Sequence, residues 1–193
     1  MKVGSSGVRV LRAVAAALVL GSCSGVGGID ATLTSPISNN DTYATIGHLW
    51  AGARSAILNK REPSTASFNL PLSYQLPCTR GGQGAFQGTL SGTKAAGRGT
   101  ATLAMTATVT ACQFDDITTV RTITASGVTV SGTVGIVNDT WDVINIRLVA
   151  PTVTVNGVSC PGGIDVMITG TSPSAQPIST GTACGRTGAV ALP

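Results

Sequence analysis

The residues that could do chemistry in this chain are few. Cys78, Cys112, Cys160 and Cys184 are spaced too widely for a zinc site, because no pair has C-x2-4-C spacing and His48 is the only histidine. Any Ser-His-Asp or Cys-His arrangement must therefore use His48, which falls off the apolar stripe of its segment and reads as a solvated helix residue. Ser91-Gly92-Thr93-Lys94 has the S-x-x-K spacing, in which a helical turn brings a lysine to a serine nucleophile. Here the tetrad sits in a glycine-rich β segment, without the Ser-Asp-Asn and Lys-Thr-Gly elements such a site needs. Asp115 and Asp116 are adjacent carboxylates that read as an exposed turn, since calcium needs further oxygen ligands. Asn138-Asp139-Thr140-Trp141-Asp142 is the binding candidate. An exposed Trp141 beside Asn138, Asp139 and Asp142 could stack a sugar ring and hydrogen-bond its hydroxyls. The competing reading has Trp141 closing the end of the core while the acids stay in water. With no G-x-S-x-G, P-loop or paired Glu/Asp motif, the sequence assigns no catalytic residue, no metal and no cofactor.

Periodicity describes the elements that would hold these residues. Tyr43, Ile46, Trp50, Ala53 and Ile57 recur at steps of three and four, which predicts one amphipathic helix over 41–62. Asp41 is its expected N-cap, Lys60 and Arg61 suit its C-terminal end, and Pro63 stops it. Gly47 and Gly52 each weaken such a helix by up to about 1 kcal/mol relative to alanine, and would permit close approach to a sheet.

From residue 67 the period becomes two. Phe68, Leu70, Leu72, Tyr74 and Leu76 alternate with polar residues and Pro71, which suits an edge strand. Ala101, Leu103, Met105, Ala107, Val109 and Ala111 alternate with threonines, so one face is expected inward and one in water. Val128, Val130, Val134 and Ile136, then Ile144, Ile146 and Leu148, repeat the pattern. The expected fold is mainly β: an antiparallel sandwich or open barrel/meander of about eight strands with one N-terminal amphipathic helix.

The N-terminus addresses the compartment. Lys2, Arg9 and Arg12 precede the apolar run 13–20, which is shorter than the roughly 20 residues that span a bilayer. This reads as a signal peptide over 1–22. Leu20-Gly21-Ser22-Cys23 resembles the lipobox of bacterial lipoproteins, which implies lipidation of Cys23 and anchoring in the cell envelope. By the same resemblance, Ser24 fits outer-membrane sorting in a cell with two membranes. Residues 23–40, rich in Gly, Ser, Thr and Asn, read as a flexible tether, and 41–193 as a single domain. Loss of 1–22 removes three of the twelve Lys and Arg, leaving nine against eight Asp and Glu. The pI near 9.0 therefore makes no case for nucleic acid as a partner.

For an exported chain, four remaining cysteines point to two disulfides, with three possible pairings. Cys78 opens one strand and Cys112 closes the next one back, and Cys160 and Cys184 bracket a similar segment, so these pairs are expected. Each bridge is worth roughly 3–4 kcal/mol in the chain-entropy model. The threonine face is similar to the flat arrays of ice-binding solenoids, but the fixed-length repeat of such folds is missing. The sequence thus describes a lipid-anchored envelope protein of structural or binding role with no catalysis evident. The alternative is a ligand- or glycan-binding envelope module using the 138–142 turn, and the third reading is an enzyme of unknown type. The partner, an envelope protein or a glycan, is left open.

Overall fold

The computed structural model describes residues 35–61, 64–116 and 119–192. The signal segment 1–22, Cys23 and the first part of the 23–40 tether lie outside them. Among the described residues, one helix, α1 (Asn39–Leu58), is followed by ten antiparallel strands. β1 (Ser67–Gln75), β2 (Gly81–Ala95), β3 (Arg98–Asp116), β4 (Thr119–Val137) and β5 (Thr140–Ala150) form a meander. β6 (Thr152–Val155) and β7 (Val158–Ser159) make a short hairpin on β4. β8 (Ile164–Gly170), β9 (Ile178–Ala183) and β10 (Arg186–Ala191) then extend the sheet from β5. All ten strands belong to one open sheet, so the meander describes it and the sandwich and closed barrel do not.

Alternation builds the two faces. In β3, Ala101, Leu103, Met105, Ala107 and Val109 are buried while Thr100, Thr102, Thr106, Thr108 and Thr110 face water. Two-residue turns at Ala96-Gly97 and Asn138-Asp139 have positive φ at both positions, which matches the strand twist and fixes the register. The expected phase fails at Ala111. The β3–β4 register shifts between Val109 and Cys112, and Ala111 takes φ 47° and turns outward. This bulge moves Cys112 and Phe114 onto the buried face.

The helix lies on the inner face, packed against β1, β2 and β4. Arg186 on edge strand β10 donates to the carbonyl of Ile37 at 2.7 Å, so elements from both sheet edges reach it. Its bounds and character differ from expectation. Ser38, not Asp41, is the N-cap, its hydroxyl accepting from the Asp41 N–H at 3.1 Å. Ile37 is buried, so the end of the expected tether belongs to the fold, and the helix ends at Leu58 rather than 62. Nor is α1 amphipathic in the expected sense. Its buried positions include Thr42, Thr45, Gly47 and Gly52 beside Ile46, Leu49, Trp50, Ala53, Ala56 and Ile57. The two hydroxyls donate back to the carbonyls of Ser38 (3.0 Å) and Asp41 (2.7 Å), so their burial leaves no unpaired donor. A sheet that approaches the helix from several sides covers more than one stripe.

Gly52 is where helix and sheet come closest. A Cβ there would lie 2.4 Å from Cε2 of Phe86 and 3.0 Å from Cδ1 of Leu76. At the edge, the Leu76 N–H bonds the Gly84 carbonyl and the Lys94 N–H bonds the Ala66 carbonyl. Even-numbered groups of β1 therefore face β2, and Pro71 removes a donor that would point away from the sheet. Cys78 bonds to Cys112 and Cys160 to Cys184. The first bridge closes the base of the β2–β3 hairpin and the second the base of the β8–β9 pair, as the topological argument from sequence requires.

Candidate functional site

The 138–142 turn does not present an aromatic platform. The two-residue turn exposes Asn138 and Asp139, but Thr140 begins β5. A β4–β5 register shift between Val134 and Ile136 changes the phase of the strand, so that Trp141 is buried on the same face as Ile144. Trp141 is 4 % exposed, packs edge-on against Phe68 with ring centroids 6.3 Å apart, and donates its indole N–H to the carbonyl of Lys60 at 3.0 Å. The indole closes the end of the core beneath α1, and no sugar ring can stack on it. Asp142 is half-buried. Asp139 accepts from Nζ of Lys94 at 2.6 Å, and its own N–H bonds the Gly97 carbonyl at 3.0 Å, tying the two hairpin turns side by side. Ser64, Ala66, Lys94 and these turns line an open groove of about 730 Å³.

Other sequence candidates are dispersed. Ser91 and Lys94 stand three residues apart on a strand, which sends them to opposite faces, and Lys94 is held by Asp139. The Asp115 carboxylate accepts from Nε of Arg80 at 2.7 Å and from the Thr79 hydroxyl at 3.2 Å, and the Asp116 side chain lies outside the described residues. Among the described residues, no cluster of three His, Cys, Asp or Glu could hold a metal ion.

His48 corrects the expectation of a solvated residue. Its ring stacks on Phe114 with centroids 3.8 Å apart and planes 6° from parallel, and its Nε2 lies 3.6 Å from Sγ of Cys112. Burial pushes its pKa down to about 4, so the imidazole is neutral at pH 7. The arrangement depends on the β3 bulge, which turns both Cys112 and Phe114 toward α1. Nearby in the fold, the buried Arg121 guanidinium donates to Asp41 at 2.7 Å. Burial alone would raise the Asp41 carboxyl, but the Ser38 hydroxyl and Arg121 together outweigh it and hold the carboxyl below its usual range.

No protein-family model, curated protein or solved structure matches the chain. The chemistry must therefore be read from the geometry. That geometry places the single histidine against a disulfide whose two residues differ in burial: Cys112 is fully buried and Cys78 only half-buried. Sequence reasoning missed this cluster because His48 and Cys112 are 64 residues apart and no local pattern marks the bulge that joins them.

Proposed function

We propose that this chain is an exported protein held at a membrane of the cell envelope by a lipid on Cys23, with a structural or binding role and no catalysis. The observation that carries this reading is the pair of disulfides, Cys78–Cys112 and Cys160–Cys184, a covalent state that persists in oxidising compartments. No helix among the described residues is long and apolar enough to cross a membrane, so a lipid would supply the attachment. The surface left for contacts is the outer face of the sheet. One rung of that face runs Asn69, Ser91, Thr102, Thr133, Asn145 and Thr169 on consecutive paired strands. Its amides and hydroxyls carry no net charge, so contacts made there would respond weakly to salt.

Cys23→Ala tests the anchor. The variant should appear in the aqueous phase on detergent partitioning, whereas the wild-type chain enters the detergent phase. Equal partitioning of the two proteins would defeat the lipid assignment.

A further inference from the structure

We infer that the Cys78–Cys112 bridge is a site of thiol–disulfide exchange, with Cys78 the sulfur attacked and Cys112 the leaving sulfur, received by His48. Three observations carry this inference, and none of them depends on the Cys23 anchor. First, the two bridges differ in access. Cys160 and Cys184 are 5 % and 0 % exposed, and Cys112 is 0 % exposed, so Cys78 is the one disulfide sulfur borne on a residue that is not buried. An incoming thiolate must reach sulfur in line with the bond it breaks, and access selects Cys78.

Second, the leaving sulfur has a waiting partner. Nε2 of His48 stands 3.6 Å from Sγ of Cys112 while the bridge is closed. In the tautomer that carries its proton on Nε2, the neutral imidazole can donate to the thiolate as it forms. Exchange rates rise with the stability of the leaving thiolate, so this donor lowers the barrier for departure of Cys112. Third, the imidazole is held in place. The parallel stack on Phe114 fixes the plane of the ring, so the donor is oriented before the reaction begins. The second bridge cannot have such a partner from this chain, because His48 is the one histidine of the sequence and it stands against Cys112.

The step balances with an external thiol as co-reactant. A thiolate RS⁻ forms a bond to Sγ of Cys78, the Cys78–Cys112 bond breaks, and its electron pair stays on Sγ of Cys112. The products are a mixed disulfide on Cys78 and a Cys112 thiolate hydrogen-bonded to His48. A dithiol donor completes the reaction with its second sulfur, releasing reduced Cys78 and becoming oxidised itself. A monothiol stops at the mixed disulfide. His48 acts here as a positioning and hydrogen-bonding residue, not as a nucleophile.

The test titrates the oxidised full-length chain at pH 7 with reduced glutathione and, separately, with dithiothreitol, followed by acid quench, alkylation and peptide mapping. The expected result is opening of Cys78–Cys112 before Cys160–Cys184 with both reagents, and a glutathione adduct on Cys78. His48→Phe keeps a ring against Phe114 and removes the donor, and should slow opening about tenfold, the scale of one hydrogen bond to a charged sulfur. His48→Gln retains an N–H donor and should open within about threefold of wild type. If His48→Phe does not fold, the adduct position and the order of opening in the wild-type chain decide. Simultaneous opening of both bridges, opening of Cys160–Cys184 first, an adduct on Cys112, or wild-type rates in folded His48→Phe would each overturn the inference. Opening by dithiothreitol with no glutathione adduct on Cys78 would overturn it as well.

Discussion

Replacing Gly52 with alanine should destabilise the protein, although alanine is the better helix former. Gly52 is buried in α1, where the intrinsic gain from glycine to alanine is about 1 kcal/mol. Against that gain stands the contact with β2. The added methyl would lie 2.4 Å from Cε2 and 2.8 Å from Cδ2 of Phe86, both far inside van der Waals contact. Phe86 is 0 % exposed and has no solvent side to retreat to, so either its ring leaves its rotamer or the helix lifts from the sheet. Overpacking of this kind costs typically about 1–3 kcal/mol, and lifting α1 would also loosen Leu76 and Trp50. Contacts this short place the overpacking at the upper part of its range, about 2–3 kcal/mol, so the clash outweighs propensity and a net loss of about 1–2 kcal/mol is expected. Urea denaturation of the oxidised protein should show a midpoint lowered by roughly 0.5–1 M at unchanged slope. Gly52→Ala combined with Phe86→Leu should recover part of the loss, because the smaller side chain vacates the space the methyl needs, giving a coupling of about 1 kcal/mol. A midpoint raised by Gly52→Ala, or strict additivity in the double variant, would refute the close seating of the helix on β2.

Three further outcomes are expected. The folded pKa of His48, about 4, lies below its unfolded value near 6.5, so between those values the unfolded chain binds more protons and stability falls with the pH. With allowance for solvent screening the loss is about 1–2 kcal/mol, absent above pH 6.5 and complete near pH 4; denaturant titrations at several pH values should show it, and His48→Phe should remove it. Asp41, held below its usual range beside Arg121, contributes stability above about pH 4 that is lost on further acidification, and Asp41→Asn should flatten that limb of the pH–Tm curve. Because Trp50 is 0 % and Trp141 4 % exposed, fluorescence should be blue-shifted, resist quenching by iodide and stay constant on addition of mono- or oligosaccharides; a saturable sugar-dependent change would contradict the closed position of Trp141.

Strand content was legible because alternation is local. Val128 to Ile136 and Ile144 to Leu148 face inward as their period requires, and the proline in β1 lies at an edge. What failed to show was set at a distance. The burial of Trp141 depends on a carbonyl at Lys60, 81 residues away, and the NDTWD pentad looks the same with its indole in or out. The bulge at Ala111 sits inside an unbroken Thr/Ala alternation, so nothing local announces the change of phase that turns Cys112 toward His48. The helix stripe was read too narrow because Thr42, Thr45 and the glycines score as polar or neutral, whereas back-bonded hydroxyls and close approach make them interior residues. Single open sheet and sandwich share the same strand signals, and only the pairing of β5 with β8 separates them.

The bond from Arg186 to Ile37 spans 149 residues and joins the last strand to the residue just before the helix N-cap. That span sets an order of events during folding. The β2–β3 hairpin can pair from its own residues alone, and the Cys78–Cys112 bridge can form with it once the chain has reached an oxidising compartment. Helix α1, the first element described, takes this contact from β10, the last one, so its cover is complete only when the whole sheet has formed. Until then its Ile46, Leu49 and Trp50 have only part of their cover, and the nascent chain holds a sticky segment waiting for its lid. Closing such a long loop is slow, so the helix should seat in a late, concerted step, with the preceding interval its period of greatest exposure to aggregation.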